Sequence, residues 1–232
     1  FSEAIRLQPE YVDAYNNRGS IYLSLNELDA ALYDFSRVIS FNPDYALAYY
    51  NRGLVYLQQE KYQQAEEDFT QALVKNPQLF LSYKQRGLAL FYLEKYEKAI
   101  NDWQTYVKNA RNDAEAYYLL GLVYFQLQKY DSSIKELNRA VELEEGYGAA
   151  YSLRGNVYLL QKEYAKAVDD YSKAIELNAA QDSVYFNRGL CRLYLDQIEE
   201  AADDFEKVLE ITENEKMAQD ARKALDAIGD IK

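Results

Sequence analysis

An all-α array of tandem 34-residue helix-turn-helix units is the fold the sequence predicts, and three observations predict it. Six of the nine glycines stand at Gly19, Gly53, Gly87, Gly121, Gly155 and Gly189, each 34 residues after the last. A tyrosine precedes each of them by four residues: Tyr15, Tyr49, Tyr83, Tyr117, Tyr151 and Tyr185. Twelve residues after each glycine comes a small side chain, Ala31, Ala65, Ala99, Ser133, Ala167 or Ala201, and sixteen after it a large one, Phe35, Phe69, Trp103, Leu137, Tyr171 or Phe205. Self-similarity at such a period marks a repeat architecture, in which each unit buries its apolar faces against its neighbours.

Every unit supplies two apolar stretches at helical spacing. In the second unit Tyr49, Val55 and Tyr56 mark the first, Tyr62, Ala65, Phe69, Ala72 and Leu73 the second, and the polar turn Gln59-Glu60-Lys61 separates them. Gly53 falls inside the first stretch, where glycine costs ~1 kcal/mol relative to alanine. Close approach of the two helices explains it. A missing Cβ at the glycine and a bare methyl at the alanine let the axes near the short end of the ~8–10 Å range, and the bulky Tyr and Phe fill the flanks.

In chain order the array reads as the second helix of a truncated preceding repeat over residues 1–11, six repeats over 12–215, and a C-terminal capping helix over 216–232. The repeats run 12–45, 46–79, 80–113, 114–147, 148–181 and 182–215. Phe1, Ala4, Ile5 and Pro9 occupy the places of Phe35, Val38, Ile39 and Pro43 one period earlier. The chain is therefore expected to be cut from a longer array, and its lone methionine at Met217 agrees with that. After the repeat is lost, Ala218, Ala221, Leu225 and Ile228 keep helical spacing, one apolar face for the last unit. Two joints lack the stiffer Asn-Pro of the early units: Asn178-Ala179-Ala180-Gln181, and Glu144-Glu145-Gly146-Tyr147-Gly148, whose two glycines make it the expected hinge.

Composition narrows the chemistry. The 232 residues contain 26 Lys plus Arg, 38 Asp plus Glu, no His and one Cys, for a net charge of −12. Without histidine the Ser-His-Asp and Cys-His machineries and every His-containing metal site are absent, and one cysteine forms no internal disulfide. Catalytic residues, metal ligands and cofactors are accordingly expected to be none. The acidic balance argues against nucleic acid and anionic membranes, since phosphate binding needs clustered cations. No run approaches the ~20 apolar residues of a membrane span, and the N-terminus lacks a signal-peptide layout. A soluble chain is expected, with the cytoplasm favoured and an upstream export signal left open.

A 34-residue unit with aromatic, Gly, Tyr, Ala, aromatic and terminal Pro in that order resembles the tetratricopeptide repeat. Tyr49-Tyr50-Asn51-Arg52-Gly53 with Tyr56, Ala65, Phe69 and Pro77 matches the pattern closely. The departures are Leu90 and Arg192 where the Tyr three after the glycine belongs, and a closing Pro kept only at Pro9, Pro43 and Pro77. The resemblance implies a right-handed α-solenoid whose concave wall is lined by first-helix residues six, three and two before the glycine, and one, four and five after it. Asn17, Asn51 and Gln85, with Tyr50, then put amides and one aromatic on the first half of that wall. Tyr118, Leu119, Leu122, Phe125, Leu153 and Phe186, with Asn156 and Asn187, make the middle and second half largely apolar. These twelve are the expected peptide-binding residues. The alternative, that the apolar ones pack between adjacent first helices, stays open at the level of sequence.

The family's chaperone-binding members hold a terminal carboxylate with two Lys, an Arg and two Asn. Asn156 and Asn187 match the Asn places, but Ser152, Met217 and Ala221 stand where cations belong, so an acidic-tail chaperone is disfavoured. Cys191 takes a position filled elsewhere by Ile21, Val55, Ala89, Val123 and Val157, a packing position. Asp34, Asp68, Asp102, Glu136, Asp170 and Asp204 lie fifteen after the glycines, and Arg18, Arg52, Arg86, Arg154 and Arg188 just before them, with Leu120 the exception. Repetition at fixed offsets reads as a structural ladder of Arg–carboxylate pairs. The leading expectation is a non-enzymatic scaffold or adaptor holding a partner's peptide segment. Self-association into a structural array, and a substrate-selecting arm of a larger enzyme, are the alternatives.

Overall fold

The computed structural model describes residues 1–179 and 181–229, and the described residues are all-α: fourteen helices, no strand. They form two compact bodies, Phe1–Arg111 and Asn112–Lys232. The first holds α1 (Ser2–Leu7), α2 (Val12–Ser24), α3 (Leu28–Phe41), α4 (Ala46–Gln58), α5 (Tyr62–Lys75), α6 (Leu81–Tyr92) and α7 (Tyr96–Asn109). The second holds α8 (Ala114–Gln126), α9 (Tyr130–Leu143), α10 (Gly148–Leu160), α11 (Tyr164–Glu176), α12 (Asp182–Tyr194), α13 (Ile198–Ile211) and α14 (Glu215–Gly229). Within each body a first helix packs most extensively on the second helix that follows it, as α4 does on α5, and that second helix packs on the next first helix.

The helix pairs close around the glycines. A Cβ on Gly53 would lie 2.8 Å from Cε1 of Phe69, and one on Gly87 would lie 2.6 Å from Nε1 of Trp103, so both first helices press directly on a fully buried ring. Trp103 Nε1 also donates to the carbonyl of Lys84 at 3.0 Å, which satisfies the indole inside the core.

Between the two helices of a pair the chain reverses in a Schellman-type end built without glycine. Glu60 adopts φ 58°, and the Lys61 N–H donates to Tyr56 O at 2.8 Å. Asn26, Glu94, Gln128, Lys162 and Asp196 repeat the left-handed residue at the same offset. The Asn-Pro joints use the asparagine side chain: Asn42 Oδ1 accepts from Asp44 N at 3.1 Å, and Asn76 Oδ1 from Gln78 N at 3.0 Å.

One polar assembly recurs in both bodies. Arg52 on α4 donates through Nε and Nη2 to both carboxylate oxygens of Asp68 on α5, at 2.7 and 2.8 Å. Its third nitrogen, Nη1, reaches back to Ser36 Oγ on α3 of the preceding pair at 3.2 Å. Tyr49 lies under the guanidinium with its ring centre 5.8 Å away. The same fork joins Arg18 to Asp34 and Ser2, Arg86 to Asp102 and Thr70, Arg154 to Asp170 and Asn138, and Arg188 to Asp204 and Ser172. In each case a tyrosine three residues before the arginine is within cation–π reach. The aspartates are buried.

One joint is built differently from the sequence reading. Neither glycine of the expected hinge at 144–148 has a positive φ, and Gly148 is the buried first residue of α10, where a Cβ would overlap Cβ of Ala179. Gly148 therefore serves a close approach. Of the Asn178–Gln181 joint, Ala180 lies outside the described residues, as do 230–232 of the last helical segment. α14 buries Ala221 and Ile228 against α13, beside Phe205 and Val208.

Leu120 replaces the arginine in the fourth repeat and is buried, and among the described residues Glu136 opposite it has only Lys135 Nζ at 3.7 Å, on a side chain 81% exposed. Desolvation pushes the Glu136 carboxyl above the usual carboxylate range, with Lys135 opposing weakly. A raised acid binds its proton more tightly when folded. Its contribution is thus fully present below the unfolded value near 4.5 and is lost as pH rises through the folded one. Glu136→Gln should therefore raise the melting temperature at pH 7, and the advantage should vanish below about pH 4; equal melting at both pH values would contradict this reading of the site.

Candidate functional site

In the N-terminal body the first helices α2, α4 and α6 present their outward faces as an open trough. Its volume is about 550 Å³, and it is lined by Leu23, Leu54, Leu57, Gln58, Glu60, Tyr62, Gln85, Leu88 and Tyr92. Leu54 and Leu88 stand one residue after their glycines, Leu23 and Leu57 four after, so the helical repeat itself carries the apolar floor from one first helix to the next. Tyr62 at the start of α5 and Tyr92 at the end of α6 close one side. Their rings stack at 4.5 Å between centres and 13° between planes, with Tyr92 53% exposed. Gln58 Nε2 donates to Asn26 Oδ1 at 2.8 Å. Burial pushes the Tyr62 hydroxyl above the usual phenol range, with the Glu60 carboxylate and Tyr92 adding to it.

The four residues expected here fall differently. Gln85 lines the trough, and Asn17 is exposed on α2. Asn51 Nδ2 donates to the buried Asn16 Oδ1 at 3.1 Å, a bond between successive first helices. Tyr50 lies half-buried on Phe69, ring centres 5.8 Å apart. The amide row that sequence placed on this half is thus partly spent within the fold, and leucines supply the open surface. Their signal was the offset of one and four residues after the glycine, masked because an apolar first-helix residue reads equally well as core.

In the C-terminal body Leu153 is a correction. It is buried, 7% exposed, within a cluster of Leu137, Ala140, Val141, Ala150 and Val157. Tyr118, Leu122 and Phe125 are half-buried against the same cluster, and Leu119 is half-buried on α8. Phe186 meets Phe205 edge-on at 5.6 Å. Aromatic side chains are long enough to lie down across a neighbouring helix, which closes over Leu153. Asn156 Oδ1 accepts from the Tyr171 hydroxyl at 2.8 Å and from Asn187 Nδ2 at 3.2 Å, so these two asparagines hold one another. The open apolar side chains at the ends of the first helices are Leu160 and Tyr194, and Tyr194 stacks on Tyr164 at 4.4 Å and 7°.

Cys191 is fully buried, and desolvation pushes its thiol up to about 11, which keeps it protonated and unreactive at neutral pH. Among the described residues no group of three or more Cys, Asp or Glu side chains is placed to hold a metal ion. Also among them, no helix is long and apolar enough to cross a membrane. Ala221, where the chaperone-type site would need a cation, is buried between α13 and α14.

Models of the tetratricopeptide repeat match residues 1–33, 19–60, 46–79, 84–147, 148–179 and 182–215. No protein of curated function matches the sequence. Among solved structures, YrrB, described as a tetratricopeptide repeat protein with an unusual peptide-binding site, is similar at 25% identity and TM-score 0.70, over 85% of this chain and 97% of that one. MamA from Desulfovibrio magneticus RS-1 is similar at 24% identity and TM-score 0.69, over 74% of this chain and 97% of its own. PilF of Pseudomonas aeruginosa shares the fold at 16% identity and TM-score 0.79, over 91% of this chain and 96% of that one.

The contrast between a closed and an open leucine is measurable. Leu153→Asp buries a carboxylate in an apolar cluster and should cost at least about 3 kcal/mol in urea unfolding. Leu88→Asp faces the trough and should cost less than about 1 kcal/mol. Equal losses would show that Leu88 is as much a core residue as Leu153.

Proposed function

The chain belongs to the tetratricopeptide repeat family, and on that premise we propose that it is a non-enzymatic scaffold that holds a peptide segment of a partner protein along its first-helix wall. The observation that carries this reading is the trough of the N-terminal body: half-buried leucines on three successive first helices line one open surface together. Contiguous open apolar surface rimmed by polar groups is a docking feature. Neighbouring first helices bring equivalent side chains about 10 Å apart, and three residues of extended chain span about the same distance. An extended segment of polyproline II type, which turns every third side chain to one face, with apolar residues at those positions therefore matches Leu54 and Leu88. Gln85 adds a donor and an acceptor for its backbone. The similarity to YrrB, itself described as having a peptide-binding site, supports the same use of the fold.

Selection from a library of short random peptides tests the proposal. The purified chain should enrich ligands whose binding falls about tenfold or more in Leu54→Asp and in Leu88→Asp, both remaining folded at the temperature of the binding measurement. Leu160→Asp, in the other body, should leave their binding unchanged. No enrichment, or ligands indifferent to both trough variants, would overturn it.

A further inference from the structure

The trough carries one ionised lining group, and its position points to the chemistry of the occupant. Glu60 sits on the left-handed turn between α4 and α5 at φ 58°, two residues before Tyr62. Among the described residues no lysine or arginine pairs with it. Beside it on the trough lies the Tyr62–Tyr92 stack, whose Tyr92 is 53% exposed. A carboxylate next to an aromatic face is a matched receptor for a cation, which takes the charge from one and the ring quadrupole from the other. We infer that the trough selects a protein segment that carries arginine or lysine beside its apolar anchors, the cation resting between Glu60 and the Tyr62–Tyr92 stack. This rests on the reading of the trough as a peptide site.

The chain contains its own control. In the C-terminal body Tyr164 and Tyr194 form the same stack, 4.4 Å and 7° against 4.5 Å and 13°. There the equivalent turn residue is Lys162, at φ 63°. One turn geometry thus accepts either sign of charge without change of fold, and the aromatic stack does not itself demand a carboxylate neighbour. The acid at Glu60 is therefore separable from the architecture. Glu60→Lys places in the first body the residue that the second already carries.

The experiment uses the peptides recovered by selection on the whole chain. Sequences that depend on Leu88 should be enriched in arginine or lysine close to their apolar residues. Replacing that arginine by citrulline, which keeps its shape and removes its charge, should weaken binding measured by fluorescence anisotropy about tenfold at low salt, and less at high salt. Glu60→Lys should melt like the wild type and remove the preference, binding the arginine and citrulline peptides alike or reversing their order. Leu88-dependent peptides with no basic enrichment, or a citrulline effect that survives in Glu60→Lys, would overturn the inference and leave the peptide trough standing. A selection with no Leu88-dependent peptide would overturn both.

Discussion

The fork from each first-helix arginine to the aspartate of its own second helix is the interaction on which the rest of the structure depends. Five arginines make it, each across 16 residues, and each also reaches a small polar side chain on the preceding second helix. Three elements are thereby fixed by one side chain. Lysine, a point charge on a flexible stem, has no such planar fork, and it does not stack on the tyrosine below. Desolvation sets against this a real cost: the aspartates are buried, and a buried pair yields little net stability compared with an apolar replacement. What the pair secures is register, because an aspartate left without its arginine is far more costly than the intact pair is favourable.

Register is what the apolar core requires. Glycine against a buried ring tolerates almost no displacement, since the equivalent of a Cβ has no room beside Phe69 or Trp103. With second helices gripped on one side, the opposite faces of the first helices carry a lighter structural load, met by bonds such as Asn51–Asn16 and Asn156–Tyr171. Their side chains then vary freely from repeat to repeat. The N-terminal body uses that freedom for an open leucine floor, and the C-terminal body lays aromatics across it. Where the arginine is missing, at Leu120, the carboxylate across from it bears the cost, as the raised Glu136 shows.

The architecture was legible because its constraint repeats. Glycine, tyrosine, alanine and ring recur at fixed offsets, and the arginine–acid pairing followed from the same arithmetic. The third arm of the arginine was not read, although Ser36, Thr70, Asn138 and Ser172 share one offset; a run of small polar residues on a helix looks like solvated surface. The left-handed turn was hidden for another reason: Glu60 and Lys162 are not residues that advertise positive φ. The wall was legible in position and not in character. Leu119 and Leu153 stand at the same offset, two before their glycines, and only their neighbours decide that one is half-buried and the other buried. That depends on contacts across repeats, which spacing along a single helix does not contain.

A double-mutant cycle on Arg52 and Asp68, followed by urea unfolding of the whole chain, tests the central role of the fork most directly. Arg52→Ala alone should cost about 1–3 kcal/mol. Asp68→Ala in that background should cost far less than it does in the wild type, giving a coupling of about 1 kcal/mol or more between the two positions. Additive losses, with each substitution costing the same whether or not its partner is present, would show that the arginine and the aspartate act separately and that the fork does not hold the repeats in register.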